Sequence, residues 1–156
     1  MILNGHTDDV FIDAEIYEYS FVLSEDKEVC EIGYQSQPAI STALYLIEII
    51  DNTNNVAVYS GNHIFSASET SYVNPVSTTN LQLGTSYTLR RTILLSDANG
   101  QFGNIIGRIA RKSEMNFRFT DGIMTITSAN FYQASNPGGV SLLDDAVPYI
   151  DLIFTD

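Results

Sequence analysis

The side chains in this sequence that could carry chemistry are two histidines, one cysteine and 19 carboxylates, set beside seven lysines and arginines. His6 and His63 belong to no HxH or HxxxH pattern, and there is no glycine-rich phosphate loop and no nucleophile elbow. His6 is expected in a loose N-terminal stretch, and His63 at the start of a strand. Cys30, the single cysteine, excludes an internal disulfide and a multi-cysteine zinc site. Glu28 and Glu31 flank it and disfavour a thiolate, so it is expected to act as a half-buried small hydrophobe.

Among the carboxylates, Glu48 stands out because Leu46, Ile47, Ile49 and Ile50 surround it. A carboxylate there is desolvated unless paired. Arg90 or Arg91 is the expected partner, as a structural pair in the core first and as part of a polar pocket second. Calcium is the one cofactor the sequence suggests. Oxygen-rich turns occur at residues 51–55 and 97–99, and the pair Asp144-Asp145 near Gly138-Gly139 is the preferred place for the ion. Asp97-Ala98-Asn99-Gly100 matches only a fragment of an EF-hand loop and reads as a turn. Tyr34, Tyr72 and Tyr132 fall at strand ends or in loops, where tyrosine serves protein- and sugar-binding surfaces. The absence of tryptophan argues against a broad glycan platform.

The elements that must hold these residues are strands. The chain of 156 residues reads as one domain, 1–156, with 44% hydrophobic residues and a net charge of −12. Such acidity argues against nucleic-acid partners and anionic membranes. No apolar run approaches the ~20 residues that a membrane-spanning helix needs, so membrane insertion is not expected. Met1–Asp9 has no basic n-region and no long apolar region, which predicts a chain that stays in the cytosol, leaves by another route such as a virion, or has had a signal removed. The charge is segregated: residues 1–89 hold 12 acids and one base, residues 90–118 six bases and two acids, and residues 119–156 five acids and no base. Folding is expected first to pair the arginines with the acids as weak surface ion pairs, and second the asymmetry can orient neighbours in an assembly.

Alternation of Tyr, Phe, Ile, Val and Thr with polar residues gives strands at 10–23, 28–35, 42–50, 56–60, 63–68, 86–95, 104–112, 116–127 and 148–155. In the first, Tyr17 and Tyr19 share a face opposite Ile16 and Glu18, and a short amphipathic helix over 8–17 is the alternative that fits the aromatics less well. Segment 42–50 is expected to be central and buried on both faces except at Glu48. Breaks fall at Gln37-Pro38, at 51–55, at Gly61-Asn62, at 96–100 and at Asn136-Pro137-Gly138-Gly139. Residues 69–80 are expected to form a long loop. Asp121-Gly122 predicts a two-residue type I′ hairpin that pairs Thr120 with Ile123, Phe119 with Met124 and Phe117 with Ile126. About eight to ten strands joined by short turns imply an all-β fold. An antiparallel, jelly-roll-like β-sandwich is the first choice and a small closed β-barrel the second.

Residues 45–91 also carry a resemblance. Tyr45-Leu-Ile-Glu-Ile-Ile-Asp-Asn, Val58-Tyr-Ser-Gly and Leu81-Gln-Leu-Gly-Thr-Ser-Tyr-Thr-Leu-Arg90 resemble β-sandwich modules of bacterial surface proteins and phage tail or fibre proteins. That resemblance implies a β-sandwich with a non-catalytic role in adhesion, glycan binding or particle architecture, and it assigns no site residues. With the segregated charge and the absence of catalytic motifs, the expectation is a structural subunit that forms a homo-oligomer or joins other subunits at a virion or cell surface, with surface glycans as a further ligand. A second resemblance rests on Asp97-Ala-Asn-Gly-Gln-Phe-Gly and Phe119-Thr-Asp-Gly-Ile-Met-Thr-Ile. These are similar to the small β-barrel cyclases of natural-product pathways, and imply a cytoplasmic enzyme with an apolar pocket.

Overall fold

The computed structural model of the chain describes residues 6–12, 14–36, 42–94, 106–111, 118–133 and 141–155. Among them lie fourteen strands and no helix. The strands are β1 (Thr7–Ile12), β2 (Ile16–Leu23), β3 (Lys27–Tyr34), β4 (Tyr45–Asp51), β5 (Val56–His63), β6 (Ser71–Val73) and β7 (Asn80–Leu81). They continue with β8 (Ser86–Ile93), β9 (Ile106–Arg111), β10 (Phe119–Asp121), β11 (Met124–Tyr132), β12 (Leu142–Leu143), β13 (Val147–Pro148) and β14 (Asp151–Phe154).

A seven-stranded sheet has the order β10-β11-β2-β8-β4-β5, with β12 added beside β11. A four-stranded sheet has the order β14-β3-β6, with β7 also on β3, and a three-stranded sheet has the order β1-β9-β13. All the pairings are antiparallel. The sheets do not close on themselves, so the architecture is an antiparallel β-sandwich and not the second-choice barrel.

Alternation explains the packing. In β2, Tyr17, Tyr19, Phe21 and Leu23 point inward while Glu18 and Ser20 point out. In β8, Tyr87, Leu89 and Ile93 point inward, and so does Arg91. These residues form one core with Val29 and Ile32 of β3, Ile109 and Ala110 of β9, and Val147 of β13. Each large apolar side chain buried there contributes about 1.5–3 kcal/mol of transfer free energy. In β11 a register shift between Ile126 and Ser128 changes the parity: Met124 and Ile126 face the core before it, Ala129 and Phe131 after it. One inserted residue is the means by which a strand changes which positions face inward.

Several expectations need correction. The extended segment 10–23 is two strands in different sheets. β5 runs through Gly61-Asn62 to His63, so neither the second turn nor a separate strand at 63–68 exists. The expected loop 69–80 contains β6. β4 is central, between β5 and β8, with one face fully buried and the other covered only in part: Leu46 and Glu48 are half-exposed there, while Ile50 is buried. The hairpin is slid by two residues, with Phe119 opposite Ile126 and Asp121 opposite Met124. Its central residues are therefore Gly122 and Ile123. Gly122 takes φ 61 and Ile123 is not among the positive-φ residues, as in a type II′ turn. A type I′ turn on Asp121-Gly122 would have required positive φ at Asp121 as well, whereas a lone glycine absorbs it without a Cβ clash. The slide is even-numbered, so Phe119, Met124 and Ile126 keep the same face. Phe117, the breaks at 37–38 and 96–100, and the turn at 136–139 lie outside the described residues.

Candidate functional site

The residues singled out from sequence go to four separate places. Tyr34 is not a surface ring: it is 1% exposed, packed edge-on against Tyr45 and Phe65. Its position at a strand end suggested exposure, but residues 64–66 just after β5 run past that end, with Phe65 on the Tyr34 ring and the Ser66 carbonyl accepting the Ser36 N–H. Tyr132 is half-buried on the outer face of the seven-stranded sheet, and its hydroxyl donates to Glu18 Oε2 at 3.4 Å. Burial, then the Glu18 charge, pushes this phenol above its ordinary value. Tyr72 alone of the three is well exposed, at 46%.

Glu48 and Arg91 are on opposite faces and do not form a core pair. Glu48 is opposite Arg90 in the β4–β8 register, but Arg90 Nε donates to Glu18 Oε2 at 2.7 Å across β2–β8. Half-exposed, Glu48 avoids the desolvation that its apolar sequence neighbours suggested, because those at odd positions turn inward. Arg91 is instead fully buried, with its guanidinium over the Tyr17 ring at 4.2 Å and 5.3 and 5.6 Å from the Tyr34 and Tyr45 rings. Its Nη1 donates to the Ala14 carbonyl at 3.2 Å. The sequence did carry a signal for this, since Arg91 shares the parity of Tyr87, Leu89 and Ile93.

Asp144 and Asp145 are engaged with protein groups. Asp144, at φ 60, accepts the Ala129 N–H on Oδ1 at 2.8 Å, and Asp145 Oδ2 pairs with Arg111 Nη2 at 2.7 Å. Among the described residues no group of three or more His, Cys, Asp or Glu side chains is placed to hold a metal ion. The turn at 97–99 lies outside the described residues.

His6 is buried against Phe119, with ring centroids 4.7 Å apart, where a loose N-terminal position was expected. Cys30 is exposed on β3, near the register shift in the β14–β3 ladder, and not half-buried. His63 is buried and hydrogen-bonded to the Tyr59 hydroxyl on the inner face of β5. Burial pushes the Tyr59 phenol up and the His63 imidazole down, so both partners are neutral near pH 7. The depressed histidine value sets a sign. The unfolded chain takes up this proton first, so the stabilisation is complete above about pH 6.5 and declines as pH falls from there towards the folded-state value. We expect the urea midpoint of wild type to fall more than that of His63→Gln between about pH 7.5 and about pH 5. Parallel midpoints in the two proteins would contradict a buried neutral histidine.

The arrangement that sequence reading missed is on the outer face of the four-stranded sheet. Tyr72 of β6 and Asp151 of β14 both stand opposite Gly33 of β3. Without a side chain at Gly33, the Tyr72 ring lies across the strand and its hydroxyl donates to Asp151 Oδ2 at 3.1 Å. A Cβ at Gly33 would come within 2.5 Å of Tyr72 Cε1 and 3.1 Å of the Asp151 Cβ. Burial pushes the Asp151 carboxyl up, opposed by the Tyr72 hydrogen bond and the Arg108 charge. Arg108 is stacked 4.3 Å over the Tyr149 ring and donates to Gln35 Oε1 at 2.7 Å and Thr70 Oγ1 at 2.8 Å. Asp151 also lines a shallow cleft of about 280 Å³ with Asp121, Met124, Leu152 and Phe154.

The outer face of the large sheet differs in kind. Its polar groups are spent on one another: Ser20 bonds Thr88, Thr88 donates to Asn52, and Asn52 donates to Ser86. No protein-family model and no curated protein sequence matches this chain.

Proposed function

We propose that this chain is a non-catalytic β-sandwich module that assembles with copies of itself in a virion or cell-surface structure. The observation that carries this reading is strand β5. It is an eight-residue strand at the end of the seven-stranded sheet, and β4 is its one strand neighbour among the described residues. An edge strand of this length is a template for pairing, and edges are ordinarily blunted by charge, proline or shortness. β5 has no charge and no proline, since residues 52–68 contain no Asp, Glu, Lys, Arg or Pro; its one irregularity is the register shift at Val58, which leaves Tyr59–His63 as regular open edge. The opposite edge, β10, is only three residues long and ends in Asp121. Val56, Val58 and Ile64 are exposed along or just beyond β5, at 56%, 40% and 55%.

The charge distribution supports a second copy as the partner. Two chains of net charge −12 repel over most of their surface. An antiparallel β5–β5 contact places the uncharged strip of one copy against that of the other, and gives an isologous interface. The virion or surface setting comes from the resemblance carried by residues 45–91. The cyclase alternative needs a closed barrel around an apolar lumen, and the sheets here are open.

Light scattering across a concentration series tests the reading. Wild type is expected to form a dimer or higher oligomer that strengthens with added salt, as screening reduces the repulsion. Val58→Lys is expected to be monomeric with an unchanged far-ultraviolet dichroism spectrum. A wild-type chain that stays monomeric at high concentration and high salt would overturn it.

A further inference from the structure

We infer that the outer face of the β14-β3-β6 ladder is a binding site for a neutral, polyhydroxylated sugar, with Tyr72 as the stacking surface and Asp151 as the hydroxyl acceptor. This goes beyond self-assembly and does not depend on it, because β5 belongs to the other sheet.

Four features combine here. The first is a fixed aromatic plane. Tyr72 is 46% exposed, yet its ring is seated over Gly33 and tied at the hydroxyl to Asp151. A tyrosine held this way loses little rotamer freedom on binding and offers one face to the C–H surface of a pyranose. The second is the acceptor. Asp151 spends Oδ2 on Tyr72, and a carboxylate has further lone-pair positions that suit adjacent sugar hydroxyls. Its burial raises the cost of leaving those positions unfilled.

The third feature is a second ring and its support. Arg108 stacks on Tyr149 while bonding Gln35, just past β3, and Thr70, just before β6, which brings this ring to the end of the β3–β6 pair that carries Tyr72. The fourth is that Asp151 stands at the margin of the sheet, where it also lines a cleft of about 280 Å³ with the core-side residues Met124, Leu152 and Phe154. Together these give flat apolar surface beside directional polar groups, the mixture a sugar presents in reverse.

Charge selects the sugar class. Glu31 is two residues from Gly33 on the same face of β3, Asp121 lines the cleft with Asp151, and Arg108 is already engaged with Gln35 and Thr70. An acidic sugar would meet two or three carboxylates on a chain of net charge −12. Neutral hexoses and N-acetylhexosamines meet no such penalty.

The test is an array of neutral and acidic oligosaccharides, followed by calorimetric titration with the best neutral probe, such as cellotriose, maltotriose or chitotriose, and with sialyllactose as the acidic control. Wild type is expected to bind at least one neutral probe and not sialyllactose. Tyr72→Ala is expected to weaken binding by at least about tenfold. Tyr72→Phe keeps the plane, loses the hydroxyl that anchors it to Asp151, and is expected to fall between. Thermal melts of the variants separate loss of binding from loss of fold. No neutral hit on the array, or a hit that Tyr72→Ala and Asp151→Asn both leave unchanged, would overturn the site. Because Val58→Lys leaves this face intact, the monomeric variant is expected to bind sugar as wild type does, so the two readings fail separately.

Discussion

Arg91→Ala is expected to lower the free energy of unfolding by about 3–5 kcal/mol, through the cavity left by a large buried side chain and the hydrogen-bond donor lost with it. Arg91 is fully buried, with Tyr17 beneath its guanidinium and Tyr34 and Tyr45 at its sides. A guanidinium is more weakly hydrated than an ammonium and stacks on aromatic faces, which makes it the cation best suited to such a place. Desolvated cation–π contact is worth about 2 kcal/mol or more, which offsets part of the burial cost. Alanine removes that contact, leaves a void among three rings, and deprives the Ala14 carbonyl of its donor. Arg91→Met is expected to recover part of the loss by filling the void with a flexible apolar chain. Arg91→Lys is expected to recover less, because a compact, strongly hydrated ammonium can reach fewer of the rings at once. Urea unfolding followed by tyrosine fluorescence measures all three. A loss below about 1 kcal/mol for Arg91→Ala, the size of an ordinary surface pair, would show that the cage is a bystander.

The second large effect is at Tyr19. This ring is fully buried on β2, and its hydroxyl donates to the Ile150 carbonyl at 2.9 Å, just ahead of β14. It ties the large sheet to the chain entering the opposite layer. Burial, then the charges of Asp151 and Asp121, holds this phenol well above its ordinary value, so it remains a donor at any working pH. Tyr19→Ala is expected to cost about 3–5 kcal/mol through the lost contacts and the cavity left behind. Tyr19→Phe keeps the packing and isolates the hydrogen bond. The orphaned Ile150 carbonyl is then expected to cost about 1–3 kcal/mol. The same substitution is expected to loosen Asp151, which follows Ile150 directly, so hydrogen exchange at β14 is the more telling readout. Unchanged exchange there, alongside a small stability loss, would mean that the bond does not organise the strand.

Alternation of polar and apolar residues is a local property, and it settled much about this protein. It marked the chain as all-β, placed β3, β4, β8 and β9 to within a few residues, and put Tyr17 and Tyr19 on one face apart from Glu18. The polar stretch at 51–55 announced the β4–β5 hairpin, whose turn the Asp51 carboxylate stabilises by bonding Thr53 N and Asn54 Nδ2. The side-chain parity of Arg91 was legible too. What parity could not say is whether a cation at that position would find rings to receive it, since Tyr17, Tyr34 and Tyr45 come from three different strands.

The tertiary structure alone decided the rest, and the physical reason is register between strands distant in sequence. The break before Ile16 sends β1 and β2 to different sheets because β1 pairs with β9, roughly a hundred residues away. Tyr34 is in the core because the chain beyond β5 covers its strand end. Tyr72 was visible as a tyrosine in a polar stretch, but its role depends on Gly33 and Asp151 standing opposite one another across β3. Nothing in the immediate neighbourhood of Tyr72 encodes that row. The sequence by itself determined which residues could face inward. The pairing of strands decided which of the others would meet outside.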